Sequence, residues 1–95
     1  MLIGVLKIKF KLHAVFSLKE KRKIAQSLKQ KIKNKYNIAI AEVNHQDSLD
    51  FLEFGIVTIS NKMNQIESIL KKVQNYIEAM SSEEIIEIHT DFFGY

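Results

Sequence analysis

Residues 2–36 read LIGVLKIKFKLHAVFSLKEKRKIAQSLKQKIKNKY, and the period of their apolar positions changes at Ser17. Before that point Leu2, Gly4, Leu6, Ile8, Phe10 and Leu12 alternate with a second set that carries Lys7, Lys9 and Lys11. A period of two with one apolar face predicts a half-buried strand over 2–12. After it Leu18, Ala25, Leu28, Ile32 and Tyr36 recur at steps of seven, three, four and four, and Ile24 widens the stripe. That is the spacing of a helix with one face turned to a core. Ser17 and Glu20 have the spacing of a capping box, in which the hydroxyl accepts an N–H of the first turn and the carboxylate reaches back. Asn37 is expected to end the helix, because Asn tolerates the left-handed conformation.

The rest of the chain repeats the layout. Ile38 to Val43 is short and apolar, Asn44 to Asp50 is turn chemistry, and Phe51 to Ser60 is a second apolar run. Together they predict a hairpin, with Gly55 marking a bulge or a close backbone approach. Asn61 is positioned to cap a second helix with the stripe Ile66, Ile69, Leu70, Val73, Ile77 and Met80, which Ser81 and Ser82 end. Glu84 to Asp91 alternates again. Ile86 and Ile88 are expected inward, Glu87, His89 and Asp91 outward, and Glu84 on the face opposite Glu87. Phe92, Phe93 and Tyr95 form an aromatic tail that either folds onto the core or, as part of an edge strand, meets a second subunit. The order βαββαβ, joined by right-handed crossovers, predicts a ferredoxin-like α+β fold. It is a single domain over 1–95, with a four-stranded antiparallel sheet and both helices on one face.

Composition fits this picture. The chain has 95 residues, of which 46% are hydrophobic and 26% charged. This balance excludes disordered and low-complexity classes. No apolar run approaches the roughly 18 residues of a membrane span. Lys7, Lys9 and Lys11 interrupt the first apolar stretch, unlike a signal peptide, so a cytoplasmic location is expected. There is no Cys, which removes disulfides, thiolate metal sites and cysteine nucleophiles.

Charge is distributed unevenly. Residues 1–36 hold 11 of the 14 basic residues against one acid, Glu20, whereas residues 37–95 hold three lysines against ten acids. The first helix alone carries eight bases, and Arg22, Gln26, Lys29 and Lys33 project as a stripe with Lys19 beside it. With a single acid among them, these bases lack the opposite-charge pairs that support an exposed helix. Lys19, Arg22, Lys23, Lys29 and Lys33 are therefore candidate phosphate contacts for a nucleic acid. Lys7, Lys9 and Lys11 would lie on the other side of the sheet, where Glu87, His89 and Asp91 of the last strand are expected to pair with them.

Other chemistry is poorly supported. Phe51-Leu52-Glu53-Phe54-Gly55-Ile56-Val57 lacks the basic-Gly-aromatic run of an RNA-recognition motif. His45 and Asp47 lie two apart in the hairpin turn and could share a proton or a ligand, although a metal site needs more ligands than these. The reading weighed against it has Asp47 capping its own turn and His45 packing at the strand end. No nucleophile elbow or Gly-rich phosphate loop occurs. A protein without catalytic activity, cofactor or bound metal is expected.

Three stretches also carry a family resemblance: Ile3-Gly4-Val5-Leu6-Lys7-Ile8, Ser17-Leu18-Lys19-Glu20-Lys21-Arg22, and Ala41-Glu42-Val43-Asn44-His45-Gln46-Asp47. The chain resembles the YlxP-like family of small bacterial proteins of unknown function over nearly its whole length. The resemblance implies a ferredoxin-like fold. The family's genes often neighbour those for transcription elongation, translation initiation and ribosome maturation, which implies a role near RNA or the ribosome. It supplies no catalytic residues. The chain departs from the family pattern at Asn44, where Asp is usual, and at Ser48-Leu49-Asp50-Phe51. The expected function is thus binding of structured RNA or the ribosome through the first helix. The alternative is a protein-interaction or homodimerisation module using a sheet edge and the aromatic tail.

Overall fold

The computed structural model describes every residue, Met1–Tyr95. Its elements are β1 (Leu2–Lys11), α1 (Leu18–Lys35), β2 (Ala39–Glu42), β3 (Phe51–Ser60), α2 (Met63–Met80) and β4 (Glu84–Gly94). The strands form one antiparallel sheet in the order β2-β3-β1-β4. This is the ferredoxin-like arrangement expected from the sequence. The alternation in β1 sends Leu6, Ile8 and Phe10 to the helical side. There they meet Leu52, Phe54 and Ile56 of β3, Ala25, Leu28 and Ile32 of α1, and Ile66, Leu70, Val73 and Ile77 of α2, all buried. The Phe10 and Phe54 rings pack edge to face, with centroids 6.1 Å apart. The opposite face of the sheet carries no helix.

The capping box forms with its return bond shifted by one residue, to Phe16 instead of the N-cap Ser17. Ser17 Oγ accepts the Glu20 N–H at 3.1 Å, and Glu20 Oε2 accepts the Phe16 N–H at 3.3 Å. Replacing Ser17 by Ala should lower stability by about 1 kcal/mol, read as a shift in thermal midpoint. The helix does not end through Asn37. Only Ala14, Asn44 and His45 have positive φ among non-glycines. Tyr36 ends α1 in an extended conformation, its N–H still donating to Ile32 O, and the chain turns at once toward β2. Nor does Asn61 cap α2. Lys62 holds the N-cap position without a side-chain bond, and Ser60 Oγ accepts the Lys62 N–H at 3.1 Å while donating to Gln65 Oε1 at 2.7 Å.

Two glycines mark close approaches. At Gly4 an added Cβ would overlap the Ile66 Cγ2 methyl and come within 2.9 Å of Leu70 Cδ1. Helix α2 thus crosses β1 directly over this residue. Gly4→Ala should destabilise by roughly 1–3 kcal/mol through overpacking, measurable as a lower denaturant midpoint at an unchanged slope. Gly55 lies in regular register between Lys7 and Ala41, so there is no bulge there. The Val43 side chain leans over it at 3.2 Å from where a Cβ would be.

The bulge lies in β4. Lys9 pairs with Glu87 and Phe10 with Ile85, so Ile86 is the extra residue. It corrects two expectations. Ile85 takes the inward position, while Ile86 is exposed. Glu84, opposite Lys11, and Glu87, opposite Lys9, share the open face instead of pointing to opposite sides. An inserted residue reverses the parity of everything beyond it, which strict alternation does not foresee. The aromatic tail does not fold back onto the core. It continues β4 to Gly94, and Phe93 and Tyr95 are exposed.

Candidate nucleic-acid interface

The axis of α1 runs beside β2, a four-residue edge strand. Its stripe Ala25, Leu28 and Ile32 is buried, so the side chains next around the helix are turned toward that edge. Lys19, Arg22, Lys23, Gln26 and Lys29 line a groove of about 420 Å³ with Ala25, Phe54 and Glu42. None of the ion pairs in the structure involves Lys19, Arg22, Lys23, Lys29 or Lys33. Lys33 is exposed one helical turn beyond Lys29 and outside the groove lining. Four of the five candidate cations therefore meet in one concavity, and the fifth extends their row along the helix. The groove can hold an anionic chain by charge, with the free β2 edge alongside.

The one acid in the groove, Glu42, is already engaged. Lys21 Nζ lies 3.2 Å from Glu42 Oε2. This contact is an ion pair and not an aligned hydrogen bond, since the same oxygen lacks a hydrogen-bond partner. Lys21 also donates to the carbonyl oxygens of His45 and, at 3.4 Å, Gln46. Only 1% of Lys21 is exposed. Sequence reading missed this residue by counting it among eight surface bases. The signal was present, since Lys21 stands four residues before Ala25 and so falls on the buried stripe. A lysine on that face must bring its charge to a partner or to water.

The hairpin turn is organised differently from the expectation. Asn44 and His45 both adopt the left-handed conformation, with φ of 54° and 48°. Ser48 Oγ, not Asp47, closes the turn by accepting the Asp50 and Phe51 N–H groups at 3.1 and 3.2 Å. Asp47 is exposed and makes no ion pair. His45 packs on the Phe51 ring, with centroids 5.4 Å apart, and its Nε2 lies 3.6 Å from Glu53 Oε1. The structure thus does not bring His45 and Asp47 together. His13 meets Glu84 at 2.9 Å, and His89 lies opposite Lys7. No three His, Asp or Glu side chains are grouped as a metal site.

The strand lysines are neutralised on the open face, partly by partners other than those expected. Lys9 pairs with Glu87 at 4.0 Å, as the cross-strand rule implies. Lys7 instead reaches Glu53 at 3.9 Å and Lys11 reaches Asp50 at 3.8 Å, both from the β3 side. The two basic sets lie on opposite sides of the sheet and differ in state, with the strand lysines paired and the helix set free.

Residues 3–90 match the family described as a protein of unknown function, DUF503. The chain belongs to this family. It is similar to the uncharacterized protein YlxP of Bacillus subtilis (strain 168), 32% identical over 77 residues, which cover 81% of this chain and 84% of that protein. Among solved structures it is similar to the de novo designed protein Ferredog-Diesel, with TM-score 0.50 and 10% identity over 94% of this chain and 83% of the other. At that identity the likeness concerns the fold alone. It is also similar to a mutant of SnoaB, a cofactor-independent oxygenase from Streptomyces nogalater, with TM-score 0.47 and 8% identity over 99% of this chain and 92% of that one. No helix is long and apolar enough to cross a membrane.

Proposed function

We propose that this member of the DUF503 family is a non-enzymatic cytoplasmic binding protein for structured RNA, on the ribosome or close to it. It holds the phosphate backbone in the groove between α1 and β2. The observation that carries this reading is the group of unpaired cations, Lys19, Arg22, Lys23 and Lys29, in one concave site whose single acid is occupied by Lys21. Unpaired cations in a groove release counterions from a phosphate backbone when they bind it. Recognition would rest on charge and on the shape of a folded RNA, since the groove offers few groups that read base edges.

The direct test is a salt titration of binding to purified small ribosomal subunits, with an unstructured RNA as control. Saturable binding to the subunit should weaken linearly in log–log form, with a slope of about −3.5 to −4.5 for five neutralised phosphates. Absence of binding at low salt would remove the reading.

A further inference from the structure

The sheet has two edges, and they are not alike. β2 is four residues long and lies beside α1, whereas β4 runs for 11 residues. Natural edge strands are blunted by brevity, proline, bulges or inward charges. β4 contains no proline, and its one bulge, at Ile86, lies near its start. From Glu87 to Gly94 its register with β1 is unbroken. Over that run the helix-side positions are Ile88, Thr90 and Phe92, opposite Ile8, Leu6 and Gly4. Ile88 and Phe92 are 37% and 36% exposed although they stand on the core side of the sheet. The open-face positions are Glu87, His89, Asp91 and Phe93.

We infer that β4 pairs antiparallel with β4 of a second copy of this chain, with the two-fold axis at Thr90, joining two sheets into one of eight strands. Self-complementarity selects both the partner and the register. In a two-fold antiparallel pair each residue opposes its reflection about the axis, on the same face. With the axis at His89, Glu87 would oppose the partner's Asp91, and with the axis at Asp91 that carboxylate would oppose its own copy. Both set like charges directly against each other, which destabilises a ladder. With the axis at Ile88, Phe92 would run past the partner's bulge, where the ladder is broken. With the axis at Thr90, Ile88 opposes the partner's Phe92 on the helix side and His89 opposes the partner's Asp91 on the open side. The run then pairs from Glu87 to Phe93, and only Gly94 reaches the partner's bulge at Ile86. The exposed Ile88 and Phe92 gain apolar neighbours, and both exposed β4 edges disappear. The α1–β2 grooves stay free at the two outer ends, so this pairing does not depend on RNA binding.

The absence of cysteine makes the register directly testable. Thr90→Cys would put two thiols opposite each other across the axis. Mild oxidation should convert this variant largely to a covalent dimer, and a mixture of Ile88→Cys and Phe92→Cys should cross-link preferentially between the two variants. Light scattering of the parent chain should give the dimer mass, and Ile88→Ser should shift it toward the monomer with an unchanged circular dichroism spectrum. Monomer mass of the parent throughout a concentration series would overturn the inference. So would a dimer in which the Ile88→Cys variant links to itself more readily than the Thr90→Cys variant, or one that neither variant cross-links.

Discussion

Lys21→Met should lower the stability of the domain by about 3 kcal/mol. In a domain of this size that is a fall in thermal midpoint of roughly 12–24 °C. Lys21 is buried, with its Nζ against Glu42 Oε2 and donating to the His45 and Gln46 carbonyl oxygens. Methionine fills a similar volume but leaves a carboxylate and two carbonyl groups facing a neutral side chain. Removing one partner of a buried pair is costly because the other charge stays behind uncompensated. The Glu42 side chain is 23% exposed and keeps some water, which sets the effect at the lower end of the usual range. Lys21→Met combined with Glu42→Leu should recover the part of the loss that comes from the stranded carboxylate, while the His45 and Gln46 carbonyl groups still lack their donor. Lys31→Met, on the exposed part of the same helix, should change stability by no more than about 0.5 kcal/mol. Similar midpoints for Lys21→Met and Lys31→Met would show that Lys21 does not hold the hairpin turn to α1.

Replacing Arg22, Lys29 and Lys33 together by Gln should weaken binding to small ribosomal subunits by roughly a hundredfold or more near 0.1 M salt. The log–log salt dependence should become shallower by about three, one for each phosphate that is no longer neutralised. Arg22 and Lys33 are exposed and none of the three is paired, so the thermal midpoint should change little. The same substitutions at Lys7, Lys9 and Lys11 should leave the slope nearly unchanged, because those lysines already face Glu53, Glu87 and Asp50. A triple variant that binds like the parent would exclude the α1 face as the RNA-binding surface. A loss with equal sensitivity to the strand lysines would point to the net charge of the protein and not to the groove.

The candidate site was half legible in the sequence. Eight bases against one acid on one helix mark a charged element, and helical projection separates Arg22, Lys29 and Lys33 from the apolar stripe. The paired or free state of each lysine is not written there. It depends on which acids the sheet brings opposite. Lys7 meets Glu53, 46 residues away in sequence, and Lys21 meets Glu42 across the gap between a helix and an edge strand. The hairpin turn illustrates the same limit. Asn44 to Asp50 has turn composition, yet whether Asp47 or Ser48 closes it depends on which oxygen reaches the free N–H groups. Two left-handed residues at its start deliver Ser48 to that position.

What the sequence by itself determined is the class and order of the elements. Alternation in β1, the capped stripe of α1 and their second occurrence follow from local periodicity, and apolar burial converts them into a two-layer fold with few alternatives. What only the tertiary structure decided is every property that joins distant residues. These are the bulge at Ile86, which brings Glu84 and Glu87 to one face, and the burial of Lys21. They also include the groove that leaves four cations unpaired and the exposure of Ile88 and Phe92 on an uncovered edge. The physical reason is range. Backbone periodicity is fixed by neighbours three or four residues away, whereas ion pairing, strand register and burial are set by the packing of the whole sheet against both helices.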